Sequence, residues 1–232
     1  MIKAVFLDRD GVICHRHERR SEERNRAAAE MLGRPDLHIT AEDEIRIFWK
    51  AHKETPATQV VTPEQEDAFW WRWGELLLSA QGMADGADAA RELCARYPYY
   101  SMLEAYPDVS RTLEALRKRG YRLAIISNTF PSLKASIEAM DLGEYFVAFV
   151  SSALAGVEKP DPAIYRIALE TIGVSAEESV FVDDLAENAD AARELGFTSF
   201  RLDRRSEHAD WDAWTIHSLD DVVMYLEEHG EL

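Results

Sequence analysis

Four short runs of apolar residues stand out along the chain, at residues 4–7, 123–126, 145–150 and 180–182. Within each run the apolar residues are nearly continuous and do not alternate with polar ones. This pattern is typical of strands in a parallel sheet, because helices cover both of its faces. We therefore predict four parallel core strands, with a weaker run at residues 215–217 as a further strand.

Helical periodicity fills the intervals between these runs. Residues 107–119, 162–172 and 188–195 each place apolar side chains on one face, and each segment leads to a glycine, as helices often do. Asp161 and Pro162 form a typical start for the second of these helices. The alternation of strands and helices predicts an α/β protein with a doubly wound, Rossmann-like parallel sheet.

Residues 15–100 follow a different pattern. They are rich in Ala, Glu, Arg and Trp at helical spacing and contain no convincing strand. Because such a segment is too long for a loop in a compact fold, we predict a helical cap inserted after the first strand. The core would then comprise residues 1–14 and 101–232, and the cap residues 15–100. The aromatic run at residues 69–73 either lines a substrate wall or, as we favour, forms the core of the cap.

Composition narrows the classes of partner. The chain has 232 residues, 47% of them hydrophobic, which is enough for a large core. Its formal net charge of -17 argues against nucleic acid or an anionic membrane as a partner, because both require a basic surface. The presence of only two cysteines, Cys14 and Cys94, favours a reducing compartment. With no apolar stretch suited to a signal peptide or a membrane span, we expect a cytoplasmic monomer or homodimer.

Three of the predicted strands end in polar residues. The carboxyl ends of parallel strands meet at one edge of the sheet, where ligands bind. Four carboxylates at this edge would repel one another unless a cation were present, and a divalent ion such as Mg²⁺ prefers oxygen ligands. The sequence therefore predicts a magnesium site. The residues at the three strand ends are Asp8, Asp10, Ser127, Asn128, Asp183 and Asp184.

Asp8 and Asp10 are two residues apart, so in extended backbone their side chains point to the same side. One carboxylate can attack a substrate while the other transfers protons. Gly11 permits a sharp turn and a close approach of the backbone to a ligand. Lys159, just before a predicted helix, can neutralise an anionic substrate that Asp8 would repel. This pattern predicts an active site for an anionic substrate.

Four motifs resemble, in order, those of the haloacid dehalogenase-like hydrolase superfamily. The motifs are Phe-Leu-Asp8-Arg-Asp10-Gly-Val, Ile-Ile-Ser127-Asn, Lys159-Pro-Asp-Pro-Ala-Ile-Tyr and Phe-Val-Asp183-Asp184-Leu-Ala-Glu-Asn188. Each motif is a weak signal alone, but four in order are specific, and they cover the core, about two-thirds of the chain. The gap after the first motif is large enough for a helical cap of the first type. The third and fourth motifs look most like those of the phosphatase domain of soluble epoxide hydrolases.

The resemblance implies a phosphohydrolase that acts on a small phosphorylated metabolite through an aspartyl-phosphate. Asp8 would attack phosphorus as the nucleophile. Asp10 would protonate the leaving oxygen and then activate the water that hydrolyses the intermediate. Val12 stands where many members have Thr, so no role is assigned to a hydroxyl group at that position.

The resemblance also implies how the metal and the phosphate would be bound. Mg²⁺ would contact the carboxylates of Asp8 and Asp184 and the backbone carbonyl of Asp10, with Asp183 in a supporting position. Phosphoryl transfer depends mainly on such positioning and charge neutralisation. The groups that would hold the phosphoryl oxygens are Ser127, the backbone amide of Asn128 and Lys159.

Three other functions use the same fold. A phosphomutase would form the same aspartyl-phosphate but return the group to a sugar. A halide-releasing hydrolase is disfavoured because that branch needs neither Asp10 nor the acidic pair at Asp183 and Asp184. A non-enzymatic interaction protein is the least favoured alternative, because it would have no reason to keep the carboxylate cluster.

A locally basic segment follows the first motif in this acidic chain. It includes Arg16, Arg19 and Arg20, at the point where the chain enters the predicted cap. One interpretation is that these arginines recognise a second anionic group of the substrate. The alternative is a solvated helix face with Glu-Arg pairs.

Overall fold

The computed structural model describes residues 1–229 of the chain. Within these residues, eight strands form two sheets. The strands are β1 (Ala4–Leu7), β2 (Cys14–Arg16), β3 (Leu103–Ala105), β4 (Arg122–Ser127), β5 (Phe146–Ser151), β6 (Ser179–Asp183), β7 (Thr198–Leu202) and β8 (Thr215–Ile216). The main sheet has the order β5-β4-β1-β6-β7-β8, and all its strands pair in parallel. The central strand β1 therefore lies between β4 and β6, so the ends of these three strands are neighbours.

The structure confirms the predicted α/β fold with a parallel sheet. The four apolar runs correspond to β1, β4, β5 and β6, and the weaker run corresponds to β8. Strand β7 was not predicted, because its sequence Thr-Ser-Phe-Arg-Leu interrupts the apolar pattern. It nevertheless pairs with β6 on one side and with the short edge strand β8 on the other, which tolerates Arg201 in a half-buried position.

Ten helices surround the strands within the described residues. They are α1 (Glu18–Met31), α2 (Ala41–Glu54), α3 (Pro63–Ala80), α4 (Ala87–Arg96), α5 (Val109–Lys118), α6 (Leu133–Glu138), α7 (Ser152–Ala155), α8 (Pro162–Ile172), α9 (Ala186–Glu194) and α10 (Asp220–His229). Side chains of β1 alternate between the two faces of the sheet, with Val5 and Leu7 in one apolar cluster and Ala4 and Phe6 in the other. Helices α5 and α10 pack on the first face, and α8 and α9 on the second. Both faces are thus covered, which explains the continuous apolar runs.

Helices α1 to α4 all fall within the segment that the sequence assigns to a cap. They share an apolar cluster of their own, which includes Phe69 and Trp73 from the aromatic run. Capping boxes fix the starts of α2, with Thr40 and Asp43, and of α3. The core contributes Phe130, whose ring centroid lies 4.6 Å from that of Phe69. The cap therefore has its own core, and Phe130 in the loop that follows β4 packs against several of its aromatic rings.

A short antiparallel ribbon of β2 and β3 joins the sheet to the helical segment. The interpretation that residues 15–100 contain no strand is therefore wrong for β2, which extends to Arg16. Three residues are too few to produce a periodic pattern, so sequence analysis could not find either strand of the ribbon. Among residues 1–229, no helix combines the length and apolar character needed to cross a membrane.

Candidate active site

Asp8 lies at the first position after β1, in the middle of the sheet's carboxyl edge. Its backbone amide donates to the carbonyl of Val182 at 2.9 Å, which extends the pairing of β1 with β6 by one residue. The Asp8 carboxylate is almost completely buried. Strand pairing thus holds this carboxylate in a fixed position, as a nucleophile requires.

Lys159 joins the Asp8 carboxylate to a second one. Its Nζ donates to Oδ1 of Asp8 at 2.7 Å and to Oδ2 of Asp183 at 2.6 Å, and all three side chains are buried. Burial lowers the pKa of the Lys159 ammonium, but Asp8 and Asp183 outweigh this effect and the net shift is upward. Lys159 therefore remains charged between two carboxylates.

Asp184 completes an acidic cluster at this edge. Asp8, Asp183 and Asp184 each offer a carboxylate oxygen, and these oxygens lie within 4.8 Å of one another. With all groups ionised, three carboxylates and the Lys159 ammonium leave two excess negative charges. Three clustered carboxylate oxygens with excess negative charge are the donor set that suits a hard divalent cation such as Mg²⁺.

The pKa values of two carboxyl groups in the cluster are raised, in line with its burial and excess negative charge. Burial, together with the carboxylates of Asp183 and Asp10, raises the pKa of the Asp8 carboxyl to about 7, although Lys159 opposes the rise. Burial also raises the pKa of Asp184, and Asp183 adds to that rise. A bound cation would counter both shifts, because a nearby positive charge favours the ionised carboxylate.

Residues 8–13, between β1 and β2, form a loop that we call the catalytic loop, and Gly11 allows Asp184 to approach it. Its φ angle is +78°, and a Cβ atom there would lie 2.4 Å from Oδ2 of Asp184. Any side chain at this position would displace the carboxylate, so the structure requires glycine for both conformation and space.

Asp10 lies in the same loop, but its side chain is half exposed and faces a cavity. Its Oδ2 accepts from Nη2 of Arg9 at 2.7 Å and from Nε at 3.1 Å. The buried Arg9 also donates to the hydroxyl of Tyr99 at 2.7 Å and to that of Ser136 at 3.2 Å. Arg9 therefore orients the Asp10 carboxylate and links it to Tyr99, in the chain segment that leads out of the helical insertion.

Arg9 was not among the residues predicted to form the site. The signal available was an arginine between two predicted catalytic aspartates, just after an apolar strand. A charged residue at that position must either reach solvent or find partners inside the protein, and only the tertiary structure shows that it finds them.

The residues predicted to bind phosphate occupy two kinds of position. Ser127 is buried at the end of β4, and its neighbour Asn128 lies at the entrance of the loop that follows. The Asn128 side chain bonds to the backbone of Lys159 in both directions, donating to its carbonyl at 2.9 Å and accepting from its amide at 2.7 Å. The Asn128 side chain thus positions Lys159, a role that the sequence did not reveal.

Two further residues support the site. Asn188 donates to Oδ1 of Asp183 at 3.0 Å and so fixes the second carboxylate that Lys159 contacts.

Arg204 donates to the backbone carbonyls of Gly11 at 3.2 Å and Val12 at 2.6 Å. Its Nη1 also donates to both carboxylate oxygens of Asp108, each at 3.0 Å. Arg204 therefore holds the exit of the catalytic loop, and no sequence motif pointed to it.

The three arginines proposed for substrate recognition have different surroundings. Arg16 lines the cavity beside Asp10 and donates to Glu44 at 2.6 Å. Arg20 bonds to the hydroxyl of Ser101, and Arg19 pairs with Glu23 with 84% of its side chain exposed. Neither Arg19 nor Arg20 lines that cavity. The structure therefore brings only Arg16 to the site.

Cys14 lies next to Asp10 but is completely buried. Burial raises the pKa of its thiol far above the ordinary value. A protonated, inaccessible thiol is a poor nucleophile, so Cys14 has a structural role.

Comparisons with known proteins agree with this geometry. A family model described as haloacid dehalogenase-like hydrolase matches residues 2–196. A phosphatase of Mycobacterium tuberculosis is 27% identical over 96% of this chain and 97% of its own length. The (S)-2-haloacid dehalogenase 4A of Burkholderia cepacia is 34% identical over 49% of each chain. The similar proteins therefore include both phosphatases and dehalogenases.

The fold is also similar to that of solved structures. The L-2-haloacid dehalogenase of Xanthobacter autotrophicus superposes with a TM-score of 0.68 at 21% identity, over 99% of this chain and 100% of that one. At this identity the likeness concerns the fold alone, a Rossmann-like sheet with a helical cap.

Proposed function

This chain belongs to the haloacid dehalogenase-like hydrolases, and we propose that it is a magnesium-dependent phosphatase acting on a small phosphomonoester. Hydrolysis would proceed through a covalent aspartyl-phosphate on Asp8. The proposal concerns the choice between phosphatase and dehalogenase, since both occur among the relatives.

One observation supports the phosphatase most strongly. Asp10 lies beside the nucleophile, while Asp183 and Asp184 cluster with Asp8. Transfer of a phosphoryl group requires neutralisation of its oxygens and a proton for the leaving alcohol. Displacement of a halide requires neither, because the halide leaves as an anion without protonation.

The residues divide this chemistry among them. Asp8, held by strand pairing, attacks phosphorus and becomes the acyl phosphate. The Lys159 ammonium stabilises the negative charge on the phosphoryl oxygens during transfer to Asp8. Ser127 and the Asn128 backbone amide donate to the same oxygens. Asp10 gives a proton to the leaving oxygen and then takes one from the attacking water.

A divalent cation would complete this arrangement. Asp8 and Asp184, with the Asp10 carbonyl, would hold Mg²⁺, and Asp183 would lie in a supporting position. When bound, the ion neutralises the phosphoryl group and orients it for in-line attack. The acidic cluster has the donors for this role.

The test is hydrolysis of p-nitrophenyl phosphate. Activity should require Mg²⁺ and disappear with a chelator. The Asp8→Asn variant should lose at least ~10³-fold in kcat, whereas Asp36→Asn, at an exposed carboxylate, should match the wild type. Unchanged activity in Asp8→Asn would show that Asp8 is not the nucleophile.

A dehalogenase remains the second candidate, because several relatives carry that name. Asp8 could displace a halide from carbon with no metal. The decisive measurement is chloride release from (S)-2-chloropropionate in the presence of a chelator. Release that depends on Asp8, without any phosphatase activity, would replace our proposal.

A further inference from the structure

A cavity of about 300 Å³ opens beside Asp10. Its walls come from α1, α2, α3 and the segments around Arg16 and Tyr99, and Asp10 is the residue of the catalytic loop that lines it. A general acid must lie within hydrogen-bond reach of the oxygen that it protonates. Asp10 can protonate a leaving oxygen held in this cavity, so the cavity is where the leaving group of a substrate attacked at Asp8 would bind.

Five aromatic side chains form one part of the cavity wall. Trp70 stacks on Tyr99 with ring centroids 4.4 Å apart, and Phe48 lies 6.1 Å from Trp70. On α2, Ile45 and Trp49 line the same cavity one turn apart, yet they are 56% and 61% exposed. Large apolar side chains left open at the wall of a cavity indicate an apolar ligand that covers them.

A charged group forms another part of the cavity wall. The Glu44 carboxylate accepts from Arg16 at 2.6 Å, from Arg24, and from the side-chain amide of Asn25 at 2.5 Å. Two guanidinium groups thus face one carboxylate, which leaves one excess positive charge beside the aromatic wall.

Arg24 carries part of this excess in a buried position. It is only 8% exposed, and it stacks on Trp73 with its guanidinium carbon 4.7 Å from the ring centroid. Among the described residues, its Nε has no hydrogen-bond partner. A buried guanidinium N–H without a partner costs free energy, and an anionic ligand group in the cavity would reduce that cost.

We infer that the substrate is a phosphomonoester of an aromatic alcohol that carries a carboxylate. This inference rests on the proposed phosphatase activity. The aromatic ring would pack between Trp49 and the Trp70–Tyr99 stack. The carboxylate would bind the arginine side of the cavity, and the ester oxygen would face Asp10. A flat ring and one carboxylate match the two kinds of wall.

Four synthetic substrates test the inference. Propyl, benzyl and 4-carboxybenzyl phosphates have alcohols of similar acidity, so their intrinsic reactivity is matched. Acetyl phosphate has a leaving group too small to need the cavity. We expect kcat/KM to rise at least about tenfold from propyl to benzyl phosphate, and about tenfold again with the carboxylate.

Two matched pairs of variants assign these gains to the cavity. Trp49→Ala should abolish the gain from the ring, whereas Trp71→Ala, in the same helical insertion but outside this cavity, should retain it. Arg16→Met leaves only Arg24 opposite Glu44, so it removes the excess positive charge. It should therefore abolish the gain in kcat/KM that the substrate carboxylate gives. Arg19→Met, at a solvent-exposed arginine, should not. Trp49, Arg16 and Arg19 are sufficiently exposed for the folded state to tolerate these changes.

The outcomes distinguish failure of the substrate class from failure of the proposed phosphatase activity. Equal kcat/KM for propyl and benzyl phosphate, with acetyl phosphate hydrolysed, would overturn the substrate class and leave the phosphatase intact. A carboxylate gain that survives in Arg16→Met would overturn the assigned anion site. Failure to hydrolyse acetyl phosphate with Mg²⁺ would overturn the phosphatase itself and this inference with it.

Discussion

The core and the helical insertion each bury a cluster of charged side chains, and the two clusters carry opposite excess charge. At the sheet edge, Asp8, Asp183 and Asp184 outnumber the single ammonium of Lys159. In the helical insertion, two arginines outnumber the single carboxylate of Glu44. Both clusters are hydrogen-bonded, yet neither is electrically neutral.

This difference indicates what each site still lacks. A protein has little to gain from burying unbalanced charge for stability alone. Excess negative charge at the sheet edge calls for a cation, and excess positive charge beside the cavity calls for an anion. Asp10 follows Asp8 closely in the chain and also lines the cavity, so under the proposed function metal and substrate would supply the missing charges on either side of it.

The largest expected effect comes from removing the Lys159 ammonium from the core cluster. In Lys159→Met, Asp8 and Asp183 would face each other without the ammonium, and the phosphoryl oxygens would lose their positive partner. We expect kcat to fall by about 10³-fold in steady-state assays with Mg²⁺. Lys134→Met, at an exposed lysine, is the control. Activity within tenfold of wild type would show that Mg²⁺ alone supplies the charge.

Removing the carboxylate of the second cluster should destabilise the protein. Glu44→Gln leaves the buried Arg24 and the half-buried Arg16 without a counter-charge, which should cost about 3 kcal/mol of unfolding free energy. Urea denaturation followed by tryptophan fluorescence measures this loss. Glu42→Gln, exposed on the same helix, should be neutral. A loss below about 1 kcal/mol would mean that the two arginines are well solvated.

The corresponding change in the core should have the opposite sign. The pKa of Asp8 is raised to about 7, so the folded state holds this proton more tightly than the unfolded chain does. Ionisation of Asp8 therefore destabilises the fold as the pH rises through that value. Without Mg²⁺ at pH 8, Asp8→Asn should be more stable than wild type by about 1–2 kcal/mol.

Two conditions check this sign in the same denaturation experiment. The advantage of Asp8→Asn should shrink near pH 5, where Asp8 is protonated in the wild type. It should also shrink with Mg²⁺, because the proposed metal site would stabilise the ionised form of the wild type. An advantage independent of both pH and metal would contradict excess negative charge as its cause.

The smallest expected effect lies at the junction of the two regions. Tyr99→Phe keeps the ring that stacks on Trp70 but removes the hydroxyl that accepts from Arg9. Loss of this one hydrogen bond should cost about 1 kcal/mol and lower kcat a few-fold, because Arg9 also orients Asp10. Tyr100→Phe, at a more exposed neighbour, is the control. Equal kcat in both variants would limit the hydroxyl to a structural role.

The sequence alone predicted four core strands of the sheet and which polar residues reach its carboxyl edge. Continuous apolar runs identify buried parallel strands, and parallel strands end at one edge, so Asp8, Ser127 and Asp183 were expected at the same edge. These conclusions need only local periodicity and a general rule of topology. They are therefore available without coordinates.

Only the tertiary structure decided what surrounds those residues. Arg9 turns inward to Tyr99 and Ser136, Arg204 reaches the catalytic loop, and Glu44 gathers two arginines beside an aromatic cavity. Each contact joins segments far apart in the chain, and polar side chains carry no periodic signal that specifies such partners. These pairs come together only in the folded chain, so the charges that would recognise a substrate cannot be located from the sequence.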